Sequence, residues 1–246
     1  MSGSVVLVTG GERGVGAGIT RAFRKAGATV VTCGRTPPDV PLGDFVPCDV
    51  RDVDQVDALL ATIADRYGRL DTVVNNAGGA PFAKAAEASP RFHAKIVELN
   101  LLAPLLVAQR AYSMLSDRNG SVVMVSSVSG TRPSPGTAAY GAAKAGLNNL
   151  TASLAIEWAP RVRVNALSVG MVRTEQAELH YGDAAGVAAV GATVPLGRLA
   201  EPDEIGECAV FLASDKASYV TGATLLVHGG GEVPAFLAAS NVKENR

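Results

Sequence analysis

The chain has 246 residues, 48% hydrophobic and 18% charged, a balance that suits a globular protein with an extensive core and not a disordered or fibrous one. Its formal net charge of −1 provides no field for nucleic acid or an anionic membrane. Three widely spaced cysteines, Cys33, Cys48 and Cys208, form neither a disulfide framework nor a metal-ligand pattern, so a reducing, cytoplasmic setting is expected.

The N-terminus passes from MSGS into VVLVTGG with no basic region ahead of a long apolar segment, unlike a signal peptide. Ser4–Val8 is a short continuous apolar run, as expected of a parallel strand buried on both faces. Gly10, Gly14 and Gly16 follow where that strand turns into an amphipathic helix. They let the backbone approach a ligand, and the helix N-terminus attracts a pyrophosphate. The spacing is G-x-x-x-G-x-G, not G-x-G-x-x-G, and an ordinary glycine-rich turn is the competing reading.

Ala28–Cys33 reads as a second buried strand whose end should reach an adenosine ribose. An acid there would suit NAD, but the strand tip carries Gly34-Arg35. With Arg13 as a second cation, this favours the 2′-phosphate of NADP; the alternative is a solvated loop arginine. Asp44–Cys48 is a weak third strand. Asp49 either accepts from an adenine amino group or caps the helix predicted over Asp52–Tyr67. Leu70–Val74 is a fourth strand, ending in Asn75-Asn76-Ala77-Gly78, small and amide groups suited to a cofactor passing above.

Pro90–Leu115 reads as one long helix with Asn100 among leucines. Its amide needs partners: either backbone groups or a water beside the active centre. The stretch Leu99–Leu115 is interrupted by Asn100, Pro104, Gln109 and Arg110 and cannot span a bilayer without burying those groups. Ser121–Ser126 is the fifth strand, followed by Ser127 and a loop rich in Gly, Pro, Ser and Thr. From Ala138 a helix begins that places Tyr140 and Lys144 on one face. A neighbouring ammonium is expected to lower the phenol's pKa, letting the pair exchange a proton with a substrate alcohol or carbonyl. Y-x-x-x-K alone equally describes a core tyrosine beside a surface lysine. Arg161–Leu167 and Thr224–Val227 are the last two strands, with a helix over Asp203–Leu212 between them. The alternation predicts an α/β fold with a parallel sheet covered on both faces.

Taken together, Thr9-Gly10-x-x-x-Gly14-x-Gly16, Asn75-Asn76-Ala77-Gly78, Asn100, Ser127 and Tyr140-x-x-x-Lys144 resemble the short-chain dehydrogenase/reductase family, from about Val5 to Gly231. Tyr140 follows Ser127 by 13 positions (140 − 127), as in that family. The resemblance implies a Rossmann-like, doubly wound, seven-stranded parallel sheet with strand order 3-2-1-4-5-6-7. It implies one NAD(P)-binding domain over 1–246, with a substrate lid at about 171–197. Tyr140 would be the acid/base, Lys144 its partner and a ribose ligand, Ser127 the group orienting the substrate oxygen, and Asn100 the anchor of a proton-relaying water. Cofactor contacts would come from Gly10, Arg13, Gly14, Val15, Gly16, Arg35, Asp49, Val50, Asn76, Ala77, Gly78, Tyr140, Lys144, Val172 and Thr174. The family's habit also implies a homodimer or homotetramer.

The sequence departs from the family at three places. Val169-Gly170 stands where Pro-Gly is usual, the Ala159–Arg161 turn is one residue short, and His228-Gly-Gly replaces Asp-Gly-Gly. His93, His180 and His228 lack partners at metal or triad spacing and read as structural or surface groups. Small side chains in Met171–Gly197 suggest a closing lid over a medium-to-bulky, partly apolar alcohol or ketone, such as a 3-oxoacyl thioester or a sterol- or polyketide-like compound. The tail after Gly231, with Phe236 and Leu237, either covers a neighbouring subunit's site or frays. Two other classes compete: a catalytically silent nucleotide-sensing protein, and an epimerase or dehydratase. No nucleic-acid, membrane or metal partner is expected.

Overall fold

The computed structural model describes residues 1–239, so the last seven residues of the tail lie outside it. Seven strands run parallel: β1 (Val5–Thr9), β2 (Thr29–Gly34), β3 (Asp44–Pro47), β4 (Thr72–Asn75), β5 (Ser121–Ser127), β6 (Arg163–Val169) and β7 (Thr224–Val227). They form one sheet in the order β3-β2-β1-β4-β5-β6-β7, as expected. All five residues of β1 are buried, which is why its sequence shows no alternation.

One sheet face is covered by α1 (Gly14–Lys25) and α8 (Pro202–Ala213), through Ile19, Phe23, Ile205 and Leu212. These two helices nearly touch, because a Cβ on Gly18 would run into the Pro202 backbone. The other face is covered by α2 (Val53–Tyr67), α4 (Ala103–Ser116) and α5 (Ala138–Trp158), through Leu59, Ile63, Val107 and Leu147.

The predicted helix over Pro90–Leu115 is interrupted. Its parts are α3 (Pro90–Val97), a π turn over Glu98–Leu102, and α4. The physical reason is Pro104, which has no N–H to donate to the Asn100 carbonyl and whose ring would crowd it. The sixth strand begins at Arg163 rather than Arg161, because the amides of Arg161 and Val162 close a turn onto the Trp158 carbonyl. Asp49 is not the cap of α2. Asp52 takes that place, accepting from the amides of Asp54 and Gln55. The region Met171–Gly197 contains two short helices, α6 (Ala177–Tyr181) and α7 (Ala184–Ala192), and a further one, α9 (Ala235–Ala239), lies in the tail. No helix among the described residues is long and apolar enough to cross a membrane.

Candidate active site

Ser127 ends β5, and its hydroxyl accepts from the Ser129 amide at 3.2 Å. The turn that follows lies hard against α5, where a Cβ on Gly141 would come within 2.8 Å of the Ser129 carbonyl. This close approach sets Ser127 beside the first turn of α5, which carries Tyr140. The two hydroxyls are near enough to influence each other, although they form no hydrogen bond of ordinary geometry. Lys144 is only 3% exposed, and its Nζ donates to the Val125 carbonyl at 2.8 Å. The same Nζ stands 5.5 Å from the centre of the Tyr140 ring.

The electrostatics differ from the expectation that Lys144 acidifies the phenol. Burial pushes the Tyr140 pKa up, and only the Ser127 hydroxyl opposes it. Lys144 is itself so desolvated that its pKa falls to about 8. With a pKa of about 8 the lysine still carries its charge at neutral pH, but desolvation and not this charge sets the direction for Tyr140. Tyr140 is therefore a protonated donor at neutral pH.

Asn100 is fully buried in the π turn. Its amide donates to the Gly79 and Ile96 carbonyls, and its Oδ1 accepts from the Gly79 amide, each at 2.9 Å. The side chain therefore staples the segment after β4, at Gly79, to the helix, and backbone groups satisfy it. Any water at this position would have to use the main-chain carbonyl that Pro104 leaves without its usual donor.

At the amino end, Gly10 and Gly14 adopt φ of 63° and 53°, in the left-handed region. A Cβ on Gly16 would collide with the Gly10 carbonyl, so only glycine fits this cradle. Asn76 donates to the Thr9 and Gly10 carbonyls at 3.0 Å and so holds the loop in shape. Its amide protons are engaged there and not turned toward a ligand. The amides of Asn76 and Ala77 both donate to Thr9 Oγ1, also at 3.0 Å. Arg13 and Arg35 are exposed on this rim, Val15 packs partly on the core and Val50 is buried in it, so Val50 faces a cofactor by its backbone alone. Asp49 is gripped by Arg51 in a two-pronged ion pair, at 2.9 and 2.6 Å, which holds its pKa below the usual carboxylate value. That grip leaves an adenine amino group competing with a guanidinium.

Several groups at the site escaped sequence reasoning. Glu12, inside the glycine loop, accepts from the Thr32 hydroxyl and from the Leu42 amide, tying the loop to β2 and to the segment after it. Glu175, next to Thr174, accepts from the Gly14 amide at 3.2 Å, so a carboxylate sits on the first N–H of α1. Thr174 itself borders Gly14, bringing the base of the expected lid onto the glycine loop. Val172 bridges to Ala200.

A cavity of about 200 Å3 opens at the carboxyl ends of β5, β6 and β7. Val128, Met171 and Leu226 form its apolar part, and Arg132, His228 and Glu232 its polar part. Arg132 and Glu232 make an ion pair at 2.6 Å. Tyr181, at the end of α6, is close enough to feel both charges, while burial raises its pKa. His228, read from the sequence as a structural or surface group, lines this cavity. A second, much smaller cavity of about 10 Å3 lies between Tyr140, His93 and Phe92.

Known proteins resemble this arrangement along most of the chain. A family model described as enoyl-(acyl carrier protein) reductase matches residues 10–232. An L-fucose dehydrogenase of Oryctolagus cuniculus is 38% identical over 245 residues, covering 94% of this chain and 86% of that protein. A 3-oxoacyl-acyl-carrier-protein reductase of Thermotoga maritima is 34% identical over 243 residues, covering 94% and 98% respectively. The solved structure of a Thermoplasma acidophilum aldohexose dehydrogenase in ligand-free form superposes with a TM-score of 0.89 at 30% identity, covering 99% of this chain and 97% of that one.

Proposed function

Because the chain belongs to the short-chain dehydrogenase/reductase family, and so acts on CH–OH groups with NAD(P), we propose that Ser127, Tyr140, Lys144 and Asn100 are the groups with which it interconverts a secondary alcohol and a ketone. The observation that carries this reading is the phenol of Tyr140 set beside both the Ser127 hydroxyl and a buried Lys144. Tyr140 gives its proton to the carbonyl oxygen in reduction and takes it back in oxidation. Ser127 donates to the same oxygen as charge develops there. Lys144, still charged at neutral pH with a pKa of about 8, would hold the ribose. Asn100 fixes the strand end beneath them.

The glycine cradle fits a dinucleotide, since bare Gly16 lets the loop close tightly on the Gly10 carbonyl and left-handed Gly10 and Gly14 turn the chain into the N-terminus of α1, where a pyrophosphate is favoured. When bound, the cofactor supplies or accepts the hydride. Gly10, Arg13, Gly14, Val15 and Gly16 would hold the pyrophosphate; Arg35, Asp49 and Val50 the adenosine; Asn76, Ala77, Gly78, Val172 and Thr174 the nicotinamide half. We read NADP as the preferred form, because Arg13 and Arg35 are exposed on the adenosine rim and the nearby acids are engaged: Glu12 with Thr32 and Leu42, Asp49 with Arg51. Arg35→Ala is expected to weaken NADP binding about tenfold or more while changing NAD binding less than about threefold. Fluorescence titration of both cofactors checks this, and equal losses would remove the preference.

The apolar wall of Val128, Met171 and Leu226 supports a medium-sized, partly apolar substrate, with a 3-oxoacyl thioester or a sterol- or polyketide-like ketone within that class. The segment 171–197 acts as its lid. The family resemblance, through the pairing of its long helices, makes a homodimer or homotetramer the assembly we expect. The test of the whole reading is to mix the protein with NADPH and a panel of ketones. Loss of nicotinamide absorbance matching the alcohol formed is expected. No loss with any ketone, despite tight cofactor binding, would leave a nucleotide-sensing protein instead.

A further inference from the structure

The chain after β4 runs back along the start of α5. A Cβ on Gly78 would lie 3.5 Å from Lys144 Nζ. Further along, the Ala83 amide donates to the Gly136 carbonyl at 2.8 Å. Gly136 offers that carbonyl from a φ of 77°, in the left-handed region. The stretch between, with Ala80 and Pro81, therefore passes Tyr140, and all three residues border the smaller cavity. Helix α3 completes the wall with His93 and the buried Ile96.

Polar groups without partners meet around this space. His93 Nδ1 is buried and has no hydrogen-bond partner among the described residues. Its Nε2 lies 3.4 Å from the Ala85 carbonyl, which can only accept, so the ring proton is assigned to Nε2 and Nδ1 is left as an acceptor. The first residues of α5 also line the cavity. Thr137 does not cap this helix, because its hydroxyl is engaged with that of Ser134 at 2.6 Å. The first intrahelical bond runs from the Gly141 amide to the Thr137 carbonyl, so the amides of Ala138, Ala139 and Tyr140 have no main-chain acceptor among the described residues. An acceptor on one wall and donors on another, with about 10 Å3 between them, give the room and the polarity for a single water. A larger ligand does not fit.

Resting on the oxidoreductase reading above, we propose that this cavity binds one water, which donates to His93 Nδ1 and accepts from the amides that open α5, and that His93 is thereby a positioning residue for the Tyr140 phenol. The water ties α3 to the turn that carries Tyr140. That turn starts without a side-chain cap, so the bridge is what holds it. A phenol displaced from the reacting oxygen passes its proton more slowly, while the groups that grip the cofactor elsewhere stay as they were.

A pair of variants separates the acceptor from the ring. His93→Phe keeps an aromatic ring on α3 and removes Nδ1. His93→Asn puts an oxygen acceptor at the same branch point of the side chain. With NADPH and the best ketone of the panel, His93→Phe is expected to lower kcat about tenfold or more, with the ketone KM and the cofactor Kd within about threefold of wild type. His93→Asn, despite its poorer packing, is expected to restore kcat to within about threefold of wild type. A role in packing alone predicts the reverse order, with Phe the milder change. Unchanged kcat in His93→Phe, an Asn variant no better than Phe, or a cofactor Kd that weakens along with kcat would overturn the positioning role and leave the oxidoreductase reading standing. A crystal structure of the wild-type protein is expected to show a water within hydrogen-bond distance of His93 Nδ1. A dry cavity, or Nδ1 bonded directly to a protein group, would overturn the water site. Wild-type protein that turns over no ketone would defeat the oxidoreductase reading and the positioning role with it, and the crystal would still decide the water site.

Discussion

Tyr140→Phe is expected to lower kcat by about a thousandfold while leaving the cofactor Kd within about threefold of wild type. The substitution removes one oxygen and keeps the ring that packs at the start of α5. What is lost is the proton. Burial keeps the phenol protonated at neutral pH, with the Ser127 hydroxyl pulling weakly the other way. A protonated phenol can donate to a ketone oxygen but must lose its proton before it can receive one from an alcohol. Ketone reduction should therefore hold steady up to the phenol's pKa, whereas alcohol oxidation should climb with pH toward it. Rate profiles in the two directions, beside those of Tyr140→Phe, check both statements. Retention of more than about a tenth of the activity, or an oxidation rate that falls with rising pH, would remove Tyr140 from the proton path.

Lys144→Met should produce two large effects of opposite sign. Turnover is expected to fall about a hundredfold or more, since the cation beside the phenol and the ribose is gone. Stability at pH 7 is expected to rise. The native pKa of Lys144 is about 8 against an ordinary 10.5, because burial penalises the ammonium. The unfolded chain then binds the proton more tightly than the native one. Between pH about 8 and 10.5 wild-type stability therefore increases with pH, and below that window the full penalty of about 3 kcal/mol applies. Methionine escapes the penalty but loses the bond to the Val125 carbonyl, worth about 1 kcal/mol, for a net gain of about 2 kcal/mol. Urea unfolding of both proteins at pH 7 and pH 10 measures this. A less stable Lys144→Met at pH 7 would show that the lysine sits comfortably where it is.

The strands were legible because a sheet covered on both sides demands continuous apolar runs, and Val5–Val8 and Val122–Val125 are such runs. Ser127, Tyr140 and Lys144 were legible because strand end and helix face are local properties. What stayed hidden depends on partners far along the chain. Arg132 and Glu232 are 100 positions apart, and Gly14 and Glu175 are 161 apart. No local pattern announces either pairing. The π turn was missed for a different reason: Pro104 lies inside the helix predicted over Pro90–Leu115, and its effect falls one turn earlier, at Asn100. The direction of the phenol's pKa was misjudged because spacing reveals adjacency but not desolvation.

The contact between Glu175 and the Gly14 amide would set an order of events on the proposed reading. If the dinucleotide's pyrophosphate lands at the N-terminus of α1, a carboxylate already rests there, and its arrival exchanges one negative group for another. The eviction also unhooks the segment that would fold over the second reactant. Ternary complexes should consequently assemble in compulsory sequence, nucleotide leading, and initial-rate patterns with a dead-end inhibitor would reveal random addition if that hook were idle.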